Sequence, residues 1–279
     1  MRERAYRFGR SQHLMGIAGL PDETTGKTGV IVLNAGLVYR IGPFRLHVDL
    51  TRHLNARGYP TLRMDLSTIG DSSATDEAQS REQQVRADLS DAMALLGEQS
   101  GCTRFVLIGL CSGAANAHLA AGSDERVAGA VFLDGYAYRT LGFKLRYYLP
   151  RLLQPARVGR FLARRIHKSK SKPQQSAAAG FAVEFPSRQQ AREDIMGMLD
   201  RGLKLNYIYS GGASGYFNHR RQFRECFGRA VGTHPGVEVN LFEETDHTYI
   251  LAGDRTRLLE TIGTWFVRRF PVAGADAGN

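Results

Sequence analysis

Cysteine is scarce in this chain, and its placement follows no pattern. Cys102, Cys111 and Cys226 are the three cysteines, with no CxxC spacing among them. An odd, scattered set excludes a disulfide framework and a cysteine-based zinc site, and it fits a reducing compartment, so a cytoplasmic location is expected. Apolar runs long enough to cross a bilayer are missing. The opening Met1-Arg2-Glu3-Arg4-Ala5-Tyr6-Arg7 leads into no apolar stretch of the kind a secretory signal carries. Acidic residues are outnumbered, 27 against 37 Lys and Arg, for a formal net charge of +10. That balance predicts an acidic partner without choosing among nucleic acid, anionic lipid and acidic protein. No nucleic-acid reading motif accompanies the basic residues, which places nucleic acid last. The remaining composition, 43% hydrophobic and 23% charged over 279 residues, suits a large α/β domain with a full core.

Strand and helix patterns alternate along most of the chain. Residues 4–8 and 13–20 read as an edge hairpin. Val30-Ile31-Val32-Leu33 is a continuous β-branched run of the kind buried on both faces of a sheet. A helix is predicted over 44–56, with Leu46, Leu50 and Leu54 on one face. Further strands are predicted at 61–64, 104–109, 127–133, 205–209 and 237–242. Helices are predicted at 76–98, 112–121, 220–230 and 254–270, followed by a frayed tail at 272–279. This alternation predicts a mostly parallel sheet covered by helices on both faces. In such sheets the chemistry gathers beyond the carboxyl ends of the strands. Asn34 to Leu37, Cys111, Asp134, the 210–216 loop and His247 all follow predicted strands directly.

The most informative stretch is Val106-Leu107-Ile108-Gly109-Leu110-Cys111-Ser112-Gly113-Ala114-Ala115. An apolar run ends in Gly-x-Cys-x-Gly and passes into a helix of small residues. That is the pattern of a nucleophile elbow, a sharp strand-to-helix turn that presents one side chain to an open site. The simpler alternative is a tight turn with a buried, inert cysteine. As a nucleophile, Cys111 would need help, because a free thiol is only a few per cent ionised at neutral pH. An imidazole and the N-terminal end of the helix beginning at Ser112 would favour its thiolate.

Four segments, in this order, resemble the α/β-hydrolase fold, and within it the serine-aminopeptidase-like or exosortase-system-associated group. They are Asn34-Ala35-Gly36-Leu37-Val38-Tyr39-Arg40-Ile41-Gly42-Pro43-Phe44-Arg45, Leu62-Arg63-Met64-Asp65-Leu66-Ser67-Thr68-Ile69-Gly70-Asp71-Ser72, the elbow at Cys111, and Asp246-His247-Thr248. The resemblance implies His247 as the base, and oxyanion-stabilising N–H groups at Ser112 and at Gly36 or Leu37. Asp65 and Gly70 would shape their turn rather than react. Two departures stand out. The nucleophile position holds Cys, as in dienelactone hydrolases and polyhydroxyalkanoate synthases. The loop Ser210-Gly211-Gly212-Ala213-Ser214-Gly215-Tyr216, where the family usually carries its acid, has no carboxylate. Asp134, one strand after the nucleophile, is the candidate acid; Asp246 would brace its turn, and Glu243 and Glu244 would be surface residues. Among the other histidines, His219 is the one near this loop.

Residues 135–200 interrupt the alternation and are expected to form a cap on a core of residues 1–134 and 201–279. From Arg139 to Lys172 there are 11 Lys/Arg and no Asp or Glu, with Leu145, Leu149 and Leu152 on one helical face and Val158, Leu162 and Ile166 on another. The segment reads as a cap with solvated charges, as a docking surface for an acidic acyl-carrier protein or a CoA phosphate, or as a membrane-surface helix. Residues 168–175 read as a flexible part of a lid. The expected function is acyl transfer or thioester hydrolysis through Cys111, His247 and Asp134, on an ester or thioester substrate and with no metal or cofactor. Its competitors are a plain carboxylesterase or lipase and a non-catalytic binding module.

Overall fold

A computed structural model describes residues 1–22, 26–75, 79–152 and 185–272. Eight strands form one sheet: β1 (Arg2–Phe8), β2 (Leu14–Leu20), β3 (Thr28–Leu33), β4 (Thr61–Asp65), β5 (Arg104–Leu110), β6 (Val127–Leu133), β7 (Lys204–Ser210) and β8 (Val237–Phe242). Their order across the sheet is β1-β2-β4-β3-β5-β6-β7-β8. The β1–β2 and β2–β4 pairs are antiparallel, as the predicted edge hairpin requires, and every later pair is parallel.

The apolar runs explain the layering. Along β3, Val30 and Val32 point to one face while Ile31 and Leu33 point to the other, and all four are buried. One face is covered by α1 (Leu46–Asn55) and α7 (Ala252–Arg269). The other is covered by α2 (Arg81–Ser100), α3 (Ser112–Ala121), α5 (Arg188–Asp200) and α6 (Arg221–Gly232). Each fully buried Val, Leu or Ile of these runs contributes roughly 1.5–3 kcal/mol over its exposed state.

The starts of α1 and α2 differ from the sequence expectation for identifiable local reasons. The α1 helix begins at Leu46 because Pro43–Arg45 is a 3-10 turn in which Phe44 and Arg45 take left-handed φ of 48° and 65°. The α2 helix begins at Arg81, where Ser80 and Gln83 form a reciprocal capping box. A larger correction concerns residues 135–200. Part of this segment belongs to the core itself. The α5 helix buries Ala191, Ile195, Met198 and Leu199 in the same cluster as the sheet, so it is a crossover helix between β6 and β7. Ahead of it, α4 (Leu141–Leu152) is tied down by Arg146, which bonds Asn218 and Glu225. The rest of the predicted basic stretch, the proposed lid at 168–175 and the tail from 273 lie outside the described residues.

The sheet order creates the place for a site. From β3 the chain moves to β4 on one side, then α2 crosses back and delivers β5 to the other side of β3. A crevice opens where the order reverses, beyond the carboxyl ends of β3 and β5. The Asn34–Gly36 turn leaves β3 there, and Cys111 leaves β5. Among the described residues no helix is long and apolar enough to cross a membrane.

Candidate active site

The elbow forms because two glycines let backbone approach backbone. A Cβ on Gly109 would lie 2.1 Å from the carbonyl carbon and oxygen of Gly113, and one on Gly113 would lie 2.6 Å from the Asn34 carbonyl oxygen. Between them Cys111 is held at φ 57°, ψ −115°, a conformation that L residues rarely adopt and that the surroundings must enforce. The result is an exposed thiol at the N-terminus of α3. The other two cysteines are buried, and burial pushes both thiols up from the ordinary range. Cys111 moves the opposite way. Its hydrogen bond with His247 lowers it most, burial opposes, and the positive charge on His247 and the Ser112 N–H lower it further. Cys111 is therefore not the buried cysteine of the simpler alternative.

His247 follows β8 and turns one ring nitrogen towards Asp134: Nδ1 lies 2.5 Å from Asp134 Oδ2. That bond, with the one to Cys111, raises the imidazole to about 10. The thiol and the imidazole thus stabilise each other as thiolate and imidazolium. Asp134 itself is buried at the end of β6 with φ 51°. Its backbone N–H donates to the Ile208 carbonyl over 2.9 Å, continuing the β6–β7 ladder past its last residue. Its carboxylate accepts from the Ser210 N–H at 2.6 Å and from the Ser210 hydroxyl at 2.7 Å.

Ser210 is a residue that sequence reasoning missed. It stands where the resemblance leads one to expect an acid, and it supplies donors to an acid on the preceding strand instead. The signal was present in two halves: a carboxylate-free 210–216 loop, and an aspartate ending the neighbouring strand. The alternative acids are engaged or distant. Asp246 accepts from the Thr248 N–H at 2.7 Å, the Thr248 hydroxyl at 2.5 Å and the Ile250 N–H at 2.9 Å, and so braces the turn that carries His247. Glu243 and Glu244 are exposed. His219 accepts from the Arg221 N–H at 3.0 Å at the start of α6, whereas the imidazole paired with Asp134 is that of His247.

The loop after β3 completes the crevice. Asp65, fully buried, accepts from the Arg40 N–H at 2.6 Å and also binds the Arg40 guanidinium, which reaches Asp71 as well. A Cβ on Gly70 would fall 2.5 Å from Asp65 Oδ2, so the 65–71 turn can close only with glycine there. Asp65 and Gly70 thereby hold the Asn34–Arg40 loop against the elbow. Of the expected oxyanion donors, the Ser112 N–H lies beside the thiol. The Leu37 N–H has no hydrogen bond to the described residues, and the Leu37 side chain faces solvent. The Gly36 N–H donates to Ser112 Oγ over 2.6 Å. Among the described residues no group of three His, Cys, Asp or Glu stands close enough to hold a metal ion.

The profile described as "Alpha/beta hydrolase family" matches residues 30–275. The chain is similar to an esterase from Pyrococcus furiosus, at 13% identity and a TM-score of 0.63, covering 96% of this chain and 91% of that one. It is similar to the esterase domain of a Rhodothermus marinus protein, at 16% identity and a TM-score of 0.57, covering 97% and 99%. It is also similar to an alpha-beta serine hydrolase homologue from Coxiella burnetii, at 12% identity and a TM-score of 0.56, covering 94% and 96%. No curated protein matches the sequence. At these identities the structural likenesses speak to the fold.

Proposed function

The chain belongs to the alpha/beta hydrolase family, and from that premise we propose that it is an acyl-transfer enzyme working through a cysteine-bound acyl group. The observation that carries this reading is the exposed Cys111 at the elbow together with His247, whose ring nitrogen lies 2.5 Å from the buried Asp134 carboxylate and whose imidazole lowers the thiol. The Cys111 thiolate attacks the carbonyl carbon of an ester or thioester. As the S–C bond forms, the carbonyl π pair moves onto oxygen and is met by hydrogen-bond donors at the elbow. When the pair returns, the bond to the leaving group breaks, and His247 gives that group its proton. The enzyme is left as a thioester. Water, an amine or a thiol then enters, His247 takes its proton, and the acyl group leaves Cys111 by the same route. Asp134 holds the ring in the tautomer and orientation that this needs and stabilises the imidazolium.

A thioester intermediate reacts readily with amines and thiols as well as water, so the acceptor decides between transfer and hydrolysis. The net charge of +10 supports an acidic donor, a CoA thioester or an acidic acyl-carrier protein, ahead of a membrane surface. The four motifs support placing the chain in the serine-aminopeptidase-like group with a cysteine substitution. A plain carboxylesterase is the second reading, favoured by the esterases among its structural neighbours.

Intact-mass spectrometry tests the proposal. Wild type, Cys111→Ala and His247→Ala are incubated with acyl-thioesters, both CoA-linked and carrier-linked, and with simple acyl esters. A mass gain of one acyl group is expected in wild type, chased by water or by an added amine. Cys111→Ala should gain none, and His247→Ala should be slower by about 10³-fold or more. Wild-type turnover in either variant would overturn the mechanism. Adducts from simple esters alone, chased only by water, would favour the carboxylesterase. No adduct from any donor would leave a binding module.

A further inference from the structure

The proposed attack needs two donors at the developing oxyanion, and the Ser112 N–H supplies one. The other is expected from Gly36 or Leu37: the Leu37 N–H, on an exposed residue of the loop, has no hydrogen bond to the described residues, whereas the Gly36 N–H is occupied. It donates to Ser112 Oγ over 2.6 Å. Nor is it free to turn. Gly36 has φ of +56°, and its carbonyl accepts from Asn34 Nδ2 at 2.8 Å. Around it Ala35 and Val38 exchange two backbone hydrogen bonds, at 2.9 and 3.2 Å. Swinging the amide towards a substrate would open that turn.

A hydroxyl offers one donor and two acceptor sites. Ser112 spends one acceptor site on Gly36, and among the described residues its own proton has no acceptor. The side chain is buried, so bulk water does not compete for that proton. An N–H donated into the oxygen polarises the O–H and makes it a stronger donor in turn. The hydroxyl also springs from the residue whose N–H already lies against the Cys111 thiol.

We infer that the Ser112 hydroxyl, held from behind by the Gly36 amide, is the second oxyanion donor. The inference rests on the acyl-transfer reading. In the attack the S–C bond forms and the π pair moves to oxygen, which the Ser112 N–H and O–H both meet; no proton passes to it. On collapse the π bond is restored, the leaving group departs with the proton of His247, and the hydroxyl is unchanged.

The test compares Ser112→Ala and Ser112→Thr with wild type, with Cys111→Ala and His247→Ala as controls. Three rates are read: turnover of an activated acetyl ester, reversible binding of a trifluoromethyl ketone that forms a hemithioketal with Cys111, and alkylation of Cys111 by iodoacetamide. Only the first two develop an oxyanion. Ser112→Ala should lower kcat by about 10²-fold with KM within about twofold, and should weaken the ketone adduct by a similar factor. Its alkylation rate should stay within about twofold of wild type, and Ser112→Thr, which keeps the hydroxyl, should recover most of both losses. Wild-type or faster turnover in Ser112→Ala would overturn the inference, because a backbone amide of the loop, Gly36 or Leu37, would then be the donor. So would a loss in alkylation as large as the loss in kcat, which would mark a structural role. Wild-type turnover by Cys111→Ala or His247→Ala is a different pattern, and it would bring down the acyl-transfer reading itself.

Discussion

Cys111 and His247 owe their charges to each other. The thiol is lowered chiefly by its bond to the imidazole, and the imidazole is raised to about 10 chiefly by Asp134 and then by the thiol. The reactive pair therefore forms as pH rises through a depressed thiol range and persists until the imidazolium deprotonates near 10. Alkylation of Cys111 and acyl turnover should rise together on the acid side, below the range of an ordinary thiol. On the alkaline side they should separate. Alkylation needs only the thiolate and continues, whereas under the acyl-transfer reading turnover needs the imidazolium to protonate the leaving group and falls near pH 10. Rate profiles with iodoacetamide and with an acyl thioester check this, and parallel profiles throughout would rule it out. Cys102 and Cys226, buried and pushed up, should stay unlabelled at neutral pH. Asp134→Asn removes the leading cause of the raised imidazole. It should lower kcat by about 10²-fold or more and move the alkaline limb to lower pH. Loss of kcat with an unmoved limb would mean that Asp134 does not set the charge of His247. At this scale the candidate residues were legible, because Cys111 and Asp134 directly follow β5 and β6 and His247 lies in the connection after β8. Ser210 and the Ser112–Gly36 bond were not. They depend on which rotamer a small hydroxyl adopts against a neighbouring strand, and no spacing along the chain records that.

Among the elements, the elbow is the least tolerant. Its two glycines are required by backbone contacts, so no side-chain adjustment can relieve an added methyl at Gly109, which would lie 2.1 Å from the Gly113 carbonyl. Gly109→Ala should cost about 3 kcal/mol or more, a fall in Tm of about 6–12 °C at roughly 2–4 °C per kcal/mol for a chain of this size. Gly197→Ala is the contrasting case. That glycine lies within α5 and a Cβ there meets nothing within 4 Å, so the change should stabilise by about 0.5–1 kcal/mol. Calorimetry on the two variants checks both signs. The strands were read well because β-branched runs such as Val30 to Leu33 and Val106 to Ile108 are buried on both faces. The α5 helix was misplaced into a cap although its apolar residues, Ala191, Ile195, Met198 and Leu199, have helical spacing and Ser187 caps its start. Continuity with the basic stretch before it concealed that pattern. The late start of α1 was hidden for another reason: left-handed φ at Phe44 and Arg45 is imposed by the loop they close, not by their own preference.

Across the whole molecule, exposed apolar side chains are unevenly placed. Apart from Met1 and Val267, every large hydrophobic residue exposed among the described residues belongs to one of three connections leaving the carboxyl edge of the sheet. Leu37, Val38, Tyr39, Ile41 and Phe44 come from the β3–α1 loop, Leu141, Leu145, Tyr148, Leu149 and Phe185 from the β6–α5 connection, and Ile250 and Leu251 from the β8–α7 turn. Two of these connections also carry Gly36 and His247, so the exposed apolar residues share the carboxyl edge of the sheet with Cys111. Exposed apolar surface confined to the rim of a site marks what the site receives. Under the acyl-transfer reading, the rim takes the tail of the acyl group while the crevice takes its carbonyl. Replacing Phe44 and Ile250 together by Ser should therefore raise KM for a decanoyl thioester by roughly tenfold, the equivalent of about 1.4 kcal/mol of lost apolar contact. KM for the acetyl thioester should stay within about twofold, because an acetyl group ends before the rim. Steady-state kinetics with the two substrates decides the matter. An equal rise for both would mean that the strained loop at Phe44 had shifted, and no rise for either would mean that the rim does not meet the acyl chain.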